Sequence, residues 1–211
     1  MSREVVRVLR ADPIMRRIVE RVGPPRIARH RGRFEALVRA IVYQQLSGKA
    51  AGTIYRRVLL SVNGNGPKRA PMPEEMLAAK PAVLRAAGLS RQKTAYLKDL
   101  SARVLDGRLP LARLGRMGDD EVIKRLTEVK GIGRWTAEMF LIFSLGRSDV
   151  WPVDDLGLRK AVMKAYRLRE MPSPWALAAR GERFRPYRSY ATWYFWQSLA
   201  PGEPVDPLNA G

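Results

Sequence analysis

TEVKGIGRWTAEMFLIFSLGRSDVWPVDDLGLR, residues 127–159, decides more about this chain than any other stretch. Residues at helical spacing run into Lys130-Gly131-Ile132-Gly133, and a second apolar run follows at once. Two glycines around one apolar residue let the backbone turn tightly and meet a ligand without side-chain obstruction, while Ile132 anchors the turn in a core. Amides at a tight turn that opens a helix, backed by the positive end of its dipole, are a natural seat for a phosphate. Downstream, Pro152 and Val153 lead into Asp154-Asp155 and a further apolar-periodic run. A proline and then aspartate before such a run is a helix start, with one carboxylate as cap and the other left for chemistry.

The flanking sequence reads as helical nearly throughout. Asp12-Pro13 is a cap with a first-turn proline, and Gly23 is the stop. Phe34 to Gln44 is apolar at helical spacing, and Ser47 is placed to cap a helix through Leu60. NGNGPKRAPMP, Asn63 to Pro73, is the clearest loop, either dividing two lobes or joining two helices. Ser90 caps a helix with Tyr96, Leu97, Leu100 and Val104 on one stripe. Asp119 or Asp120 opens a helix with Val122, Ile123, Leu126 and Val129 inward. Met139 to Leu145, Leu158 to Tyr166 and the aromatic-rich Pro186 to Trp196 complete the set. Alternating strand patterns are nearly missing, so the expected class is all-α.

Composition narrows the partners. The 211 residues carry 39 Lys+Arg against 20 Asp+Glu, a net charge of +19. That imbalance favours a polyanion, because neutralising phosphates releases counterions. With no cysteine there are no disulfides, thiolate zinc sites or iron–sulfur clusters. His30, the single histidine, lies in RIARHRGRF and is expected at the surface. Neither a secretory signal nor a membrane span is legible, which points to a cytoplasmic protein, nucleoid-associated if bacterial.

These residues carry a resemblance. LTEVKGIGRWTAEMFLIFSLGRSDVWPVDDLGLRK, together with AIVYQQLSGKAA, GLSRQKTAYL and FRPYRSYATWYFW, resembles the helix-hairpin-helix DNA glycosylase superfamily, and within it the 3-methyladenine DNA glycosylase II branch. The likeness runs from about Phe34 to Trp196. It implies one helical domain over residues 1–211 whose two lobes flank a DNA-binding cleft. Central helices over about 34–115 and 116–166, with the hairpin at 130–133, would form one lobe. The termini, 1–33 and 167–211, would pack together as the second. Some members carry a β-rich domain ahead of the helical part, for which this chain has neither room nor pattern.

The resemblance implies roles residue by residue. Asp155 is favoured as the catalytic carboxylate, with Asp154 as helix cap or secondary candidate. Trp135 stands where bifunctional members have a Schiff-base lysine, which implies hydrolysis without strand cleavage. Trp135 and Trp196 would stack on a flipped base, with Met139 and Tyr187 as further pocket candidates. Gln45 aligns with the wedge that fills the vacated stack, and the apolar Leu46 beside it is the other candidate. Lys130, Gly131, Gly133, Arg134, Ser47, Lys49 and Lys93 would contact the DNA backbone, with Arg91 another plausible contact. The main-chain carbonyls of Thr127, Val129 and Ile132 would hold a structural Na+ or K+, and no cofactor is required. The implied partner is double-stranded DNA with damaged bases, and the implied state a monomer. The implied reaction is release of an alkylated purine in base excision repair. The alternatives are a non-catalytic damage-binding module and a monofunctional glycosylase for another damaged base.

Overall fold

In the computed structural model, residues 3–27, 29–30, 32–63 and 69–199 are described, and they form helices and no strand. Helix α1 spans Arg3–Arg10 and α2 spans Pro13–Val22. Asp12 caps α2 as the sequence implies: its Oδ1 accepts the amides of Ile14 and Met15, each at 2.9 Å. Pro13 occupies the first turn, where no amide is needed, and Gly23 ends the helix at φ +80°. Seven helices follow: α3 (Arg33–Tyr43), α4 (Gly48–Asn63), α5 (Pro73–Ala78), α6 (Pro81–Ala86), α7 (Arg91–Leu105), α8 (Asp119–Thr127) and α9 (Arg134–Phe140). The last three are α10 (Leu156–Ala165), α11 (Pro174–Gly181) and α12 (Arg188–Leu199).

Contacts divide the described residues into two units, one of residues 3–27 with 146–199 and one within 29–145. Residues 146–166, expected among the central helices, group with the termini. The reason is packing: Leu158, Ala161 and Val162 of α10 are buried in one core with Phe195, Leu177 and Ile18. The Asn63 to Pro73 stretch joins helices inside the second unit and divides no lobes. Its residues 64–68 lie outside the described residues, as do residues 200–211.

The unit of 29–145 is organised around α7, which is capped by Ser90 through the Lys93 amide. Two of its lysines close other helices. Lys93 Nζ donates to the carbonyls of Val42 and Gln44 at 2.7 and 2.6 Å, satisfying the C-terminal end of α3. Lys98 Nζ does the same for Leu77 and Ala79 at the end of α5. Between α3 and α4, the Arg39 guanidinium lies over the rings of Tyr43 and Tyr55, and the Tyr55 hydroxyl donates to Glu35. Helix α8 is capped by the backbone of Gly118, not by Asp119 or Asp120, which sit inside its first turn where the dipole favours negative charge. Helix α9 continues as a π-helical segment, Leu141–Leu145, whose Phe143 carbonyl accepts the amide of His30 at 2.8 Å. His30 is half-buried there, not on the open surface.

The other unit has an aromatic centre. Trp151, Phe184 and Phe195 meet with ring centroids 5.9–6.1 Å apart. Trp151 Nε1 donates to the Leu177 carbonyl at 2.8 Å. Its indole fits only because residue 181 is glycine; a Cβ there would lie 2.5 Å from the ring. Asp149 takes a two-pronged contact from Arg188, and the Val150 amide donates to Ser189 Oγ, so residues 149–151 are pinned to the start of α12. That pinning sets the direction in which the chain enters α10.

Asp12 also joins distant parts of this unit. Its Oδ2 accepts from the Tyr166 hydroxyl at 2.8 Å and from Arg183 at 2.9 Å. Burial alone would raise its carboxyl, but the Met15 amide, Tyr166, Arg183 and the Ile14 amide together hold it below the ordinary value of 3.8. Replacing it, Asp12→Ala, is expected to lower the unfolding free energy by about 2 kcal/mol at neutral pH, from a lost cap and two lost polar partners. A carboxyl depressed in the folded state stabilises above its unfolded value and loses that contribution as pH falls through the lower folded value. Urea titrations should therefore show the gap between parent and variant constant down to about pH 4 and shrinking below it. An unchanged gap at pH 2 would contradict this.

Candidate functional site

Asp155 is a buried carboxylate at the start of α10. It is 8% exposed, while Asp154 beside it is open to solvent. The cap expected of Asp154 belongs to Asp155: its Oδ1 accepts the Leu158 amide at 2.5 Å, at the first turn of α10. The same oxygen accepts the Trp196 indole Nε1 at 2.8 Å, from α12. One carboxylate therefore closes a helix start and ties it to the last helix, so the division of labour expected between the two aspartates is not the one found. A buried carboxylate with two donors on one oxygen is held in a single orientation, a requirement for charge stabilisation or for positioning water.

Gly157, which the sequence reading passed over, permits that arrangement. A Cβ at this position would lie 3.2 Å from Asp155 Oδ1 and 3.4 Å from the Trp196 ring. Its signal was a glycine in the first turn of an otherwise well-formed helix, where it costs about 1 kcal/mol relative to alanine.

The other pocket candidates separate. Trp196 is buried with its polar edge on Asp155. Tyr187 is half-buried, packs against the aromatic core and lies edge-on to Tyr190. Met139 is wholly buried inside α9 and presents no surface to a base. Trp135, the second residue of α9, keeps 40% of its surface exposed.

The hairpin is held from behind by α7. Gly131 adopts φ +81°, and a Cβ on it would fall 2.1 Å from the Tyr96 ring. The Lys130 amide donates to Asp99 Oδ2 at 2.9 Å, and Arg103 pairs with the same oxygen. The Ile132 amide turns back to the Val129 carbonyl at 3.1 Å, and Gln44 Nε2 donates to the Gly131 carbonyl at 2.8 Å. Asp99, Arg103, Tyr96 and Gln44 were not legible as hairpin supports. Nothing local in sequence connects them to residues 130–133. The amides of Gly131 and Gly133 take no acceptor among the described residues, and the Cβ direction of Gly133 is open for at least 4 Å. The hairpin thus bonds alternate amides inward and leaves the two glycine amides outward.

The charged candidates also divide. The side chains of Lys130, Lys49 and Arg91 are exposed, as is Ser47. Arg134 pairs with the nearly buried Glu138 at 3.0 Å and stays largely exposed. Lys93 differs from the expectation: two of its three donors are committed to the end of α3 and are not free for a phosphate. In the turn between α3 and α4, Gln45 is exposed at φ +58°, a left-handed conformation uncommon outside glycine, and Leu46 is half-buried. Among the described residues no three histidine, cysteine, aspartate or glutamate side chains group to hold a metal ion. No helix of the described residues is long and apolar enough to cross a membrane.

Comparison with known proteins agrees with this geometry. Residues 38–186 match the model of the HhH-GPD superfamily base excision DNA repair proteins. The chain is 37% identical over 202 residues to DNA-3-methyladenine glycosylase 1 of Schizosaccharomyces pombe, covering 94% of this chain and 87% of that protein. Its structure is similar to a DNA-3-methyladenine glycosidase from Bacillus halodurans, with TM-score 0.85, 36% identity, and 95% of this chain and 90% of that one covered. It is also similar to the S. pombe 3-methyladenine DNA glycosylase solved in complex with abasic DNA, with TM-score 0.80, 35% identity, and 96% and 100% coverage. The helical architecture, the hairpin and the extent of these matches place the chain in the HhH-GPD superfamily of base excision DNA repair proteins.

Proposed function

We propose that this protein is a monofunctional DNA glycosylase that hydrolyses the N-glycosidic bond of alkylated purines in duplex DNA, with Asp155 as its catalytic carboxylate. The observation that carries the reading is Asp155 itself, buried and fixed by the Leu158 amide and the Trp196 indole in a chain whose relatives are named 3-methyladenine glycosylases. In the reaction, the bond from C1′ to the base nitrogen breaks and its electron pair leaves with the already cationic base. Water oxygen then bonds C1′ and gives up a proton. The oxocarbenium-like charge that develops at the sugar is what a fixed carboxylate stabilises, and the same group can receive the proton of the water. A cationic leaving group needs no protonation, so the step calls for no general acid at the base.

Trp135 supports the monofunctional assignment, since an indole offers no amine to attack C1′. Its exposed ring is suited to stacking on an extruded, electron-poor base. The outward amides of Gly131 and Gly133 are suited to phosphate oxygens without regard to sequence, and Lys130, Lys49 and Ser47 are exposed to assist. A Na+ or K+ on the carbonyls of Thr127, Val129 and Ile132 would add positive charge at the same turn. For the wedge, the left-handed backbone of exposed Gln45 favours it over the half-buried Leu46, because strain of this kind is tolerated where a side chain must project. The partner is damaged double-stranded DNA, bound by a single chain in the cytoplasm.

Three measurements test this reading. Parent protein incubated with duplexes carrying 7-methylguanine or ethenoadenine should yield strand breaks only after hot alkali, and Asp155→Asn should lower the single-turnover rate by at least about a hundredfold. Breakage without alkali would overturn the role of Trp135. Gly157→Ala should keep a melting temperature near the parent's but lower that rate about tenfold, roughly 1.4 kcal/mol of barrier, because the new methyl crowds both Asp155 and Trp196. An unaltered rate would detach Gly157 from the site. Gly133→Ala has room to fold, so its effect should appear as several-fold weaker binding to undamaged duplex. Equal affinity would mean that no phosphate approaches that amide.

A further inference from the structure

At the opposite end of α10 from Asp155 the protein has a cavity of about 580 Å3. Asp155 caps the first turn of α10, whereas Lys164, Tyr166 and Arg167 line this cavity at its last turn. Ten residues at about 1.5 Å rise separate the two by roughly 15 Å. The facing wall is α2, whose Ile14, Arg17, Ile18 and Arg21 follow the i, i+3, i+4, i+7 spacing of one helix face. The lining thus combines an apolar floor, Ile14 and Ile18, with four cations and no carboxylate.

None of the four cations engages a carboxylate among the described residues. Asp12, which bonds Tyr166, is already occupied by the Ile14 and Met15 amides and by Arg183. Arg21 and Lys164 stand in the last turns of their helices, where the dipole favours cations. That argument does not reach Arg17, in the middle of α2, or Arg167. Arg167 has φ +53°. Its amide donates to the Lys164 carbonyl and the Leu168 amide to that of Met163, the helix ending in which glycine is the favoured residue. Here an arginine takes the left-handed position and brings a fourth like charge to one cavity, against both backbone preference and mutual repulsion.

We propose that this cavity binds a phosphate-ester anion of about nucleotide size, its phosphates on Arg17, Arg21, Lys164 and Arg167 and its less polar part on Ile14 and Ile18. Guanidinium groups suit phosphate oxygens by their paired donors, and the volume lies in the range of about 300–1,000 Å3 typical of small-ligand pockets. The ligand is either a free nucleotide or a phosphorylated nucleotide of a nucleic-acid strand, which present the same chemistry.

The test is a calorimetric titration of the full chain with ADP. Saturable binding at one site per chain is expected, weakened at least tenfold in the double variant Arg17→Gln with Arg167→Gly. Glycine is favoured at position 167, so this variant should melt no lower than the parent, which separates lost binding from lost folding. Arg56→Gln with Arg57→Gln removes the same charge from exposed positions on α4 and should change the affinity less than twofold. Repeating the ADP titration with an undamaged, 5′-phosphorylated duplex present identifies the source: competition assigns the site to the strand, and unchanged ADP binding assigns it to a free nucleotide. Absence of saturable binding, or equal weakening in both double variants, overturns the proposal.

Discussion

One carboxylate oxygen sets the terms for the candidate site. Asp155 Oδ1 accepts from the first turn of α10 and from the indole of α12, so the group that closes a helix is also the group suited to chemistry. A carboxylate buried to this degree is tolerated only when its lone pairs are met. Meeting them from two helices makes its position a property of the tertiary structure. The aromatic centre around Trp151 and the Asp149–Arg188 contact serve the same end, because they fix the approach of the chain to residue 155. Gly181 marks where an indole passes too close for any side chain, and Gly157 where a carboxylate and an indole leave room for a methyl only at tight contact.

The hairpin follows a related logic with backbone groups. Its inward amides and one carbonyl are satisfied by Asp99, Val129 and Gln44, and its left-handed glycine is packed under Tyr96. A turn so tied cannot shift to meet a ligand. The two glycine amides that remain outward are therefore held in place before anything binds, and rigid donors lose less entropy on association. Helix α7 supplies two of these ties, Asp99 and Tyr96, and, through Lys93 and Lys98, also closes α3 and α5. Side chains that look in sequence like a cationic surface are in part internal fasteners.

Much of the architecture was legible because it rests on local rules. Capping by Asp12 and Ser90, the stop at Gly23, the apolar stripe of α7 and the paired glycines at 131 and 133 all follow from spacing and backbone preference within a few residues. The all-α class and the hairpin were visible on that basis. So was the membership in the glycosylase superfamily that the comparisons establish.

What the sequence could not reveal depended on which distant groups meet. Asp155 rather than Asp154 became the cap because only the buried member of the pair can also reach Trp196. Lys93 has two donors occupied because α3 ends within reach of its ammonium. Tyr187 and Met139 went to packing contacts, and residues 146–166 joined the termini through the apolar face of α10. Arg17 and Arg167, 150 positions apart, share a cavity that no local pattern announces. The linear chain by itself determined the helices, their ends and the chemistry on offer, since those depend on neighbours a turn away. Tertiary structure alone decided which charges are buried, which donors are occupied and which remain open to a ligand, because burial and pairing are set by residues far off in sequence.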